Sequence, residues 1–281
     1  MNAITQVFTT IASKDNRAPG DYVDGDGFLV CAKCHTRKQF EIDCPILGDG
    51  AKLPIMCECR AREREREEKE DELRRFQQRV DALRQDGLTD PEYSRWTFAN
   101  DDRRDAAISD ACRKYVDEWE KMRKDNVGLL FYGGVGTGKS FSACCIGNEL
   151  LDRCIPTLVT SFPRILSKLQ AAGWGGDRAE ILDRLQRYEL VVIDDLGVER
   201  GTEYALEQIF TVVDTRYRSG KPLIVTTNLS PQDIKAPNNL AYQRVYDRIL
   251  QNSIPVKMAG ESRRVEIAAK KREKYQGFFG S

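Results

Sequence analysis

Gly133–Ser140 reads GGVGTGKS, and this stretch constrains the fold of the 281-residue chain more tightly than any other. It fits G-x-x-x-x-G-K-[ST], a loop whose backbone N–H groups curl around phosphate oxygens. The apolar run Val127–Tyr132 (VGLLFY) before it reads as a strand and Phe141–Leu151 after it as a helix, which is the context such a loop requires. Gly133, Gly136 and Gly138 let the backbone turn inward, and the helix that follows adds the positive end of its dipole. Gly133, Gly134, Val135, Gly136, Thr137, Gly138, Lys139, Ser140 and Phe141 are therefore the expected ATP-binding segment. Lys139 is placed to reach the β- and γ-phosphates, and the Ser140 hydroxyl to take a position on Mg²⁺.

Downstream of the loop, strand-like and helical patterns alternate, as a parallel sheet with crossover helices demands. Strands are expected at Thr157–Ser161, Leu190–Ile193, Leu223–Thr227 and Ile254–Met258, with helices at Pro163–Leu169, Ala179–Arg187, Glu203–Tyr217 and Asn239–Gln251. The buried strand LVVI ends in Asp194-Asp195, and in an open parallel sheet ligands lie beyond the carboxyl ends of the strands. Asp194 is then a second Mg²⁺ ligand, and Asp195 can orient or deprotonate an attacking water. Asn228 closes the next strand at the same edge and can position that water or sense the γ-phosphate. Arg244 and Arg248 lie one helical turn apart, either as plain surface charges or as arginines offered to the ATP of a neighbouring subunit.

Upstream, the chain changes character twice. Residues 1–26 read as a flexible arm, and 27–60 as a small metal module. Five of the nine cysteines crowd into Cys31–Cys59; Cys31-x-x-Cys34 and Cys57-x-Cys59 supply four soft ligands for one structural Zn²⁺, with Cys44 or His35 as alternatives for one of them. Residues 61–100 read as a charged helical linker and adaptor, with Glu65–Lys69, Glu70–Arg74 and Asp71–Arg75 as i,i+4 pairs and a narrow stripe of Leu73, Phe76, Val80 and Leu83. Trp96 and Phe98 form an aromatic anchor, and Asp105–Arg123 is expected as one amphipathic helix. Lys and Arg balance Asp and Glu at 44 each, so any nucleic-acid contact must be a local patch. No apolar run reaches membrane-spanning length and the first residues lack a secretory pattern, so the expected location is the cytoplasm.

The stretches CAKCHTRK with MCECR, the TF of WTFAN, GGVGTGKS, LVVIDDLG, LIVTTNL, RVYDR and GESRR together resemble the DnaC/DnaI-type helicase loaders of the AAA+ class, in particular phage-borne members with an N-terminal zinc module. The resemblance implies a three-layer α/β P-loop NTPase, with an AAA+-type parallel sheet and no helical lid, over residues 101–281. It also implies slow Mg²⁺-dependent ATP hydrolysis, docking of the replicative DNA helicase by the N-terminal module, single-stranded DNA held by the ATPase domain, and self-association on ATP or with the helicase. By that similarity Asp194 and Asp195 are Walker B, Asn228 is sensor 1, Arg248 is the arginine finger, and Arg264 is the late sensor-like arginine, with Arg263 beside it. An IstB-like transposition helper shares IDDLG and GESxR, and a zinc-dependent adaptor using ATP as a switch without turnover is the remaining alternative. Two basic patches are candidates for DNA: Arg164 and Lys168 beside Phe162 and ahead of Trp174, and the tail with Lys270, Lys271, Arg272 and Lys274 before Tyr275, Phe278 and Phe279.

Overall fold

A computed structural model describes residues 16–44, 48–172, 176–197, 203–230, 232, 240–276 and 278. The chain divides into two compact units, residues 1–77 and 78–281. The expected boundaries fell at 60/61 and 100/101, whereas the division lies inside a single helix, α1 (Glu58–Gly87).

In the first unit, β1 (Tyr22–Val23) pairs antiparallel with β2 (Leu29–Val30), and β3 (Gln39–Cys44) with β4 (Gly48–Pro54). The apolar core is small, formed by Phe28, Leu29, Val30 and Leu53 with Cys31 and Cys57. Residues 16–26, expected within the arm, are part of this packing, while residues 1–15 lie outside the described residues. Asp21 explains the difference. Its carboxylate accepts from Ala18 N (2.7 Å), Ala32 N (3.1 Å) and Lys38 Nζ (2.6 Å), a buried ion pair that knits residue 21 to the turn bearing Cys31 and Cys34. These hydrogen bonds, led by Lys38, hold the Asp21 carboxyl at about 2, below its ordinary value.

Over residues 58–77, α1 is exposed and laced by its own charges: Arg62–Glu58 (2.8 Å), Arg64–Glu68 (2.8 Å) and Lys69–Glu65 (2.7 Å). The expected Glu65–Lys69 pair forms. Glu70 instead pairs back to Arg66 (3.5 Å), and Asp71 meets Arg74 (3.5 Å), because each acid has basic residues on both sides to choose from. The apolar stripe is buried at Val80, whereas Leu73 and Phe76 remain 67% and 45% exposed.

The second unit is built on a parallel sheet of order β6-β7-β8-β5-β9, with β5 (Gly128–Gly133), β6 (Thr157–Ser161), β7 (Leu190–Leu196), β8 (Leu223–Thr227) and β9 (Ser253–Met258). Leu130, Phe131, Val192, Ile193 and Val225 are fully covered, the pattern of a sheet flanked on both faces. One face carries α2 (Ala106–Asp117), α3 (Trp119–Lys124) and α4 (Lys139–Asp152). The other carries α5 (Phe162–Ala171), α6 (Gly176–Arg187), α7 (Glu203–Arg218) and α8 (Leu240–Asn252). The parallel sheet with crossover helices is the one expected from the alternating pattern, and its three layers are the AAA+-type arrangement that the resemblance implied.

Two helical expectations change. The helix over 105–123 breaks at Glu118, so that Trp119 packs into the core at the start of α3. Asp105 caps α2, accepting from Ile108 N (3.2 Å). The basic tail is a helix, α9 (Arg263–Tyr275), beginning five residues after β9 ends. Its composition is rich in strong helix formers, and Glu266 lies near Lys270 (3.9 Å) at i,i+4.

At the amino ends of the strands, Arg216 of α7 is 1% exposed. Its guanidinium donates to the carbonyls of Leu185 (3.1 Å), Tyr188 (2.8 Å), Glu189 (2.7 Å) and Pro222 (2.8 Å), tying the approaches to β7 and β8 together.

Candidate nucleotide and metal sites

At the carboxyl end of β5 the chain turns through Gly133 (φ 140°), Gly136 (φ 80°) and Gly138 (φ 99°) before α4 begins. A Cβ on Gly133 would lie 2.2 Å from Met258 O, so this position needs glycine for close approach as well as for its backbone angle. Thr137 Oγ1 donates to Gly134 O (2.9 Å) and closes the loop. Lys139 is buried; its ammonium donates to Gly133 O (3.0 Å) and Gly134 O (2.6 Å). Burial lowers its pKa, opposed by the nearby carboxylates of Asp195 and Asp194.

The two aspartates differ because β7 bulges between them. Ile193 pairs with Val225 and Leu196 with Thr227, so Asp194 and Asp195 together face Thr226 alone. Thr226 Oγ1 donates to Asp194 Oδ1 (2.6 Å) and accepts from Asp195 N (2.9 Å). Asp194 is thereby kept buried in line with the strand, and Asp195, at φ 56°, is turned outward into the cleft. Burial, then the Asp194 charge, raises the Asp195 pKa above its ordinary value of 3.8.

An open cleft of about 420 Å³ gathers Val135, Gly136, Gly138, Lys139, Ser140 and Phe141 with Asp195, Asn228, Arg263 and Arg264. Of the polar residues expected from the sequence, Lys139, Ser140, Asp195, Asn228, Arg263 and Arg264 are brought together here, Asp194 lies buried behind Asp195 in the strand, and Arg248 is elsewhere. Arg248 lines a different part of the unit: its Nε donates to Asp214 Oδ1 (2.8 Å), and its guanidinium lies over the Phe210 ring (4.7 Å). The two adjacent arginines are also distinguished. Arg263 pairs with Asp102 (3.0 Å) and lies over the Phe141 ring (5.9 Å), whereas Arg264 makes no ion pair among the described residues. Glu92 and Trp96 line the cleft as well. Trp96 is legible in the sequence as an anchor, but nothing in its spacing ties it to the phosphate loop.

The oxygen donors for Mg²⁺ are compatible with that ion. Ser140 supplies a hydroxyl in the cleft, and Asp194 has a carboxylate oxygen beyond the one that Thr226 holds.

The first unit has the second site. The Sγ atoms of Cys31, Cys34, Cys57 and Cys59 all lie within 4.8 Å of one another, with Cys31–Cys59 at 3.6 Å and Cys57–Cys59 at 3.3 Å. Tetrahedral zinc with bonds of ~2.3 Å gives sulfur–sulfur edges of ~3.8 Å, so the donor set fits that ion. The first pair lies on a tight turn, with Cys31 N donating to Thr36 O (3.0 Å) and His35 at φ 56°. The tighter second pair works because Cys57 precedes α1, its carbonyl accepting from Ala61 N (2.9 Å), while Cys59 lies in the first helical turn. His35 is turned away and meets Tyr22 Oη through Nδ1 (3.2 Å), so it is not part of the cluster. The Cys44 side chain lies outside the described residues.

The DNA patch expected on α5 is altered. Arg164 pairs with Asp90 and donates to Thr89 O, and Phe162 is fully buried, so neither offers a free cation or a stacking face. Trp174 and Phe279 lie outside the described residues. At the end of the last helix Tyr275 is exposed beside Lys274, and Phe278 is exposed just beyond it.

Residues 63–272 match the IstB-like ATP binding protein family. The chain belongs to that family. Among curated relatives, its sequence is 26% identical over 147 residues to the replicative helicase loader DnaI of Bacillus subtilis, covering 49% of this chain and 47% of DnaI. It is 32% identical over 167 residues to the replicative helicase loader DnaC of Escherichia coli, covering 58% of this chain and 65% of DnaC. The match thus spans about half to two thirds of these family relatives. The crystal structure of DnaI superposes with a TM-score of 0.52 at 22% identity, over 63% of this chain and 96% of that one, a likeness of fold. Among the described residues, no helix is long and apolar enough to cross a membrane.

Proposed function

We propose that this family member is an ATP-hydrolysing helicase loader. The observation that carries the reading is the bulged Asp194–Asp195 pair opposite Lys139 and Ser140 at one sheet edge, in a chain whose relatives include DnaI and DnaC. Lys139 and the loop N–H groups bind the β- and γ-phosphates. Ser140 and Asp194 would hold Mg²⁺, which would supply positive charge against the charge developing between the phosphates. Asp195, aimed into the cleft by the bulge, accepts the proton of the attacking water, and Asn228 orients that water. Arg264 faces the charge that develops on the transferred group, while Arg263 braces Phe141 and the loop. Arg248 acts on a neighbouring subunit in a self-associated state, once it leaves Asp214.

In the first unit, Cys31, Cys34, Cys57 and Cys59 hold Zn²⁺ in a closed structural site. The module so formed docks the replicative helicase, and single-stranded DNA is held by the second unit, with exposed Lys271, Arg272 and Lys274 beside Tyr275 on α9 supplying cations and a stacking face. The IstB-like match makes a transposition helper the second reading. Pull-down of purified replicative helicase by the full chain, with and without ATP, decides between them. Capture that Cys57→Ser abolishes is the expected result; no capture under either condition would favour the transposition helper.

A further inference from the structure

Asn148 lies in the middle of α4, 1% exposed, where a polar side chain needs a reason. Its Nδ2 donates to Tyr93 O (2.7 Å), Trp96 O (3.0 Å) and Cys144 O (3.0 Å). The first two carbonyls belong to the turn Tyr93–Arg95 and its end at Trp96, the segment that lines the nucleotide cleft. Two amide hydrogens thus serve three carbonyls, and the remaining atom, Oδ1, accepts from Arg84 Nη1 (3.0 Å). Arg84, in the last turn of α1, is itself anchored on Asp152 through Nε (2.8 Å) and Nη2 (2.6 Å). A donor on one side and carbonyls on the other leave the amide a single satisfied orientation.

Within the polar lining of the cleft, Lys139, Ser140, Asp195, Asn228 and Arg264 are taken up by the phosphates, their cation and the attacking water, and Glu92 and Arg263 complete that lining. Its aromatic lining is Trp96 and Phe141, and the Phe141 ring is overlaid by Arg263 at 5.9 Å. Trp96 is packed in part against the core and tilted on Tyr93, with ring centroids 5.6 Å apart, and among the described residues it is the aromatic lining of the cleft that no cation overlays.

We propose that Asn148 is a positioning residue for the base-facing wall of the cleft: it hangs Trp96 where the purine of the nucleotide packs, and Arg84 fixes the sense of its amide. The proposal rests on the ATP reading above. Loss of Asn148 takes away the hydrogen bond of Trp96 O and lets the wall shift, while the phosphate loop, built from its own glycines and Thr137, stays as it is.

The test titrates the full chain with Mg·ATP and with Mg·tripolyphosphate, which has the phosphates and no base, and records the melting temperature of each variant. Trp96→Ala and Asn148→Ala should weaken ATP about tenfold and leave tripolyphosphate within about twofold, with Arg84→Gln giving a smaller loss of the same kind. Equal weakening of both ligands, or ATP affinity untouched by Trp96→Ala, overturns the proposal. If Asn148→Ala does not fold, Arg84→Gln and Trp96→Ala decide the matter, because Arg84 is partly exposed and its loss leaves the Asn148 donors in place. A wild-type chain that binds neither ligand removes the ATP reading itself, whereas one that binds both and fails the variant comparison removes this inference alone.

Discussion

The division of labour between Asp194 and Asp195 comes down to one hydroxyl and one bulge. Thr226 holds Asp194 in the strand line, and the extra residue turns Asp195 into the cleft. Asp195→Asn should therefore keep ATP affinity and lose turnover by about a hundredfold or more, whereas Lys139→Ala should abolish ATP binding. Equilibrium binding and phosphate release measured on the same preparations separate the two effects. Turnover by Asp195→Asn equal to wild type would remove Asp195 as the base. The raised pKa of Asp195 sets the sign of a pH effect. A carboxyl whose pKa lies above 3.8 takes up its proton earlier as pH falls, so the acid limb of turnover should lie above the ordinary carboxylate value. A pH–rate profile still flat at about pH 4 would contradict this.

The loop and the acidic pair are legible in the sequence because both are local strings with fixed chemistry, and the structure brings the loop and Asp195 to one cleft with Asp194 buried beside it. The bulge is not legible, since it depends on the register between β7 and β8. Nor is the ion pair of Arg248 with Asp214, which joins α8 to α7. Arg164 looks like a free cation in the sequence for the same reason: its partner, Asp90, lies 74 residues away in the chain.

At the scale of elements, the two cysteine pairs are held by a turn and by the start of α1, with little apolar core to replace the proposed metal. Removing metal with a chelator should unfold β1–β4 and leave ATP binding intact; metal analysis of freshly purified chain should give about one zinc per chain. Retention of zinc by Cys57→Ser, or its absence from wild type, would refute the ligand set. The start of α9 is the other sensitive junction. Gly136 has φ 80°, its carbonyl accepts from Arg263 N (2.9 Å), and a Cβ there would meet Ser262 Oγ at 2.1 Å. Gly136→Ala should cost about 1–3 kcal/mol of stability and loosen ATP binding, read by thermal melting with and without nucleotide. In sequence this region reads as a tail, because its basic and aromatic residues suggest a binding arm, although the same stretch is rich in good helix formers.

For the molecule as a whole, the proposed role of Arg248 makes turnover a property of an assembly. Arg248→Ala should bind ATP normally and hydrolyse it poorly, and mixing it with Lys139→Ala should restore part of the activity at mixed contacts. Absence of rescue where the two variants co-assemble would assign Arg248 to its contacts with Asp214 and Phe210 alone.

Arg216 gives the second unit a mechanical character. Four carbonyls converge on one planar guanidinium at the amino ends of β7 and β8, far along those strands from the bulge and the phosphate loop. A fork of fixed geometry on rigid backbone acts as a rivet, and a lysine, with its ammonium at a single point, could not span the same acceptors. One end of the sheet is thereby fastened while the opposite rim bears the glycine loop and the left-handed Asp195. On the proposed ATPase reading, the loss of a terminal phosphate would be felt at that rim, with the riveted foot of the sheet as the fixed end to work against.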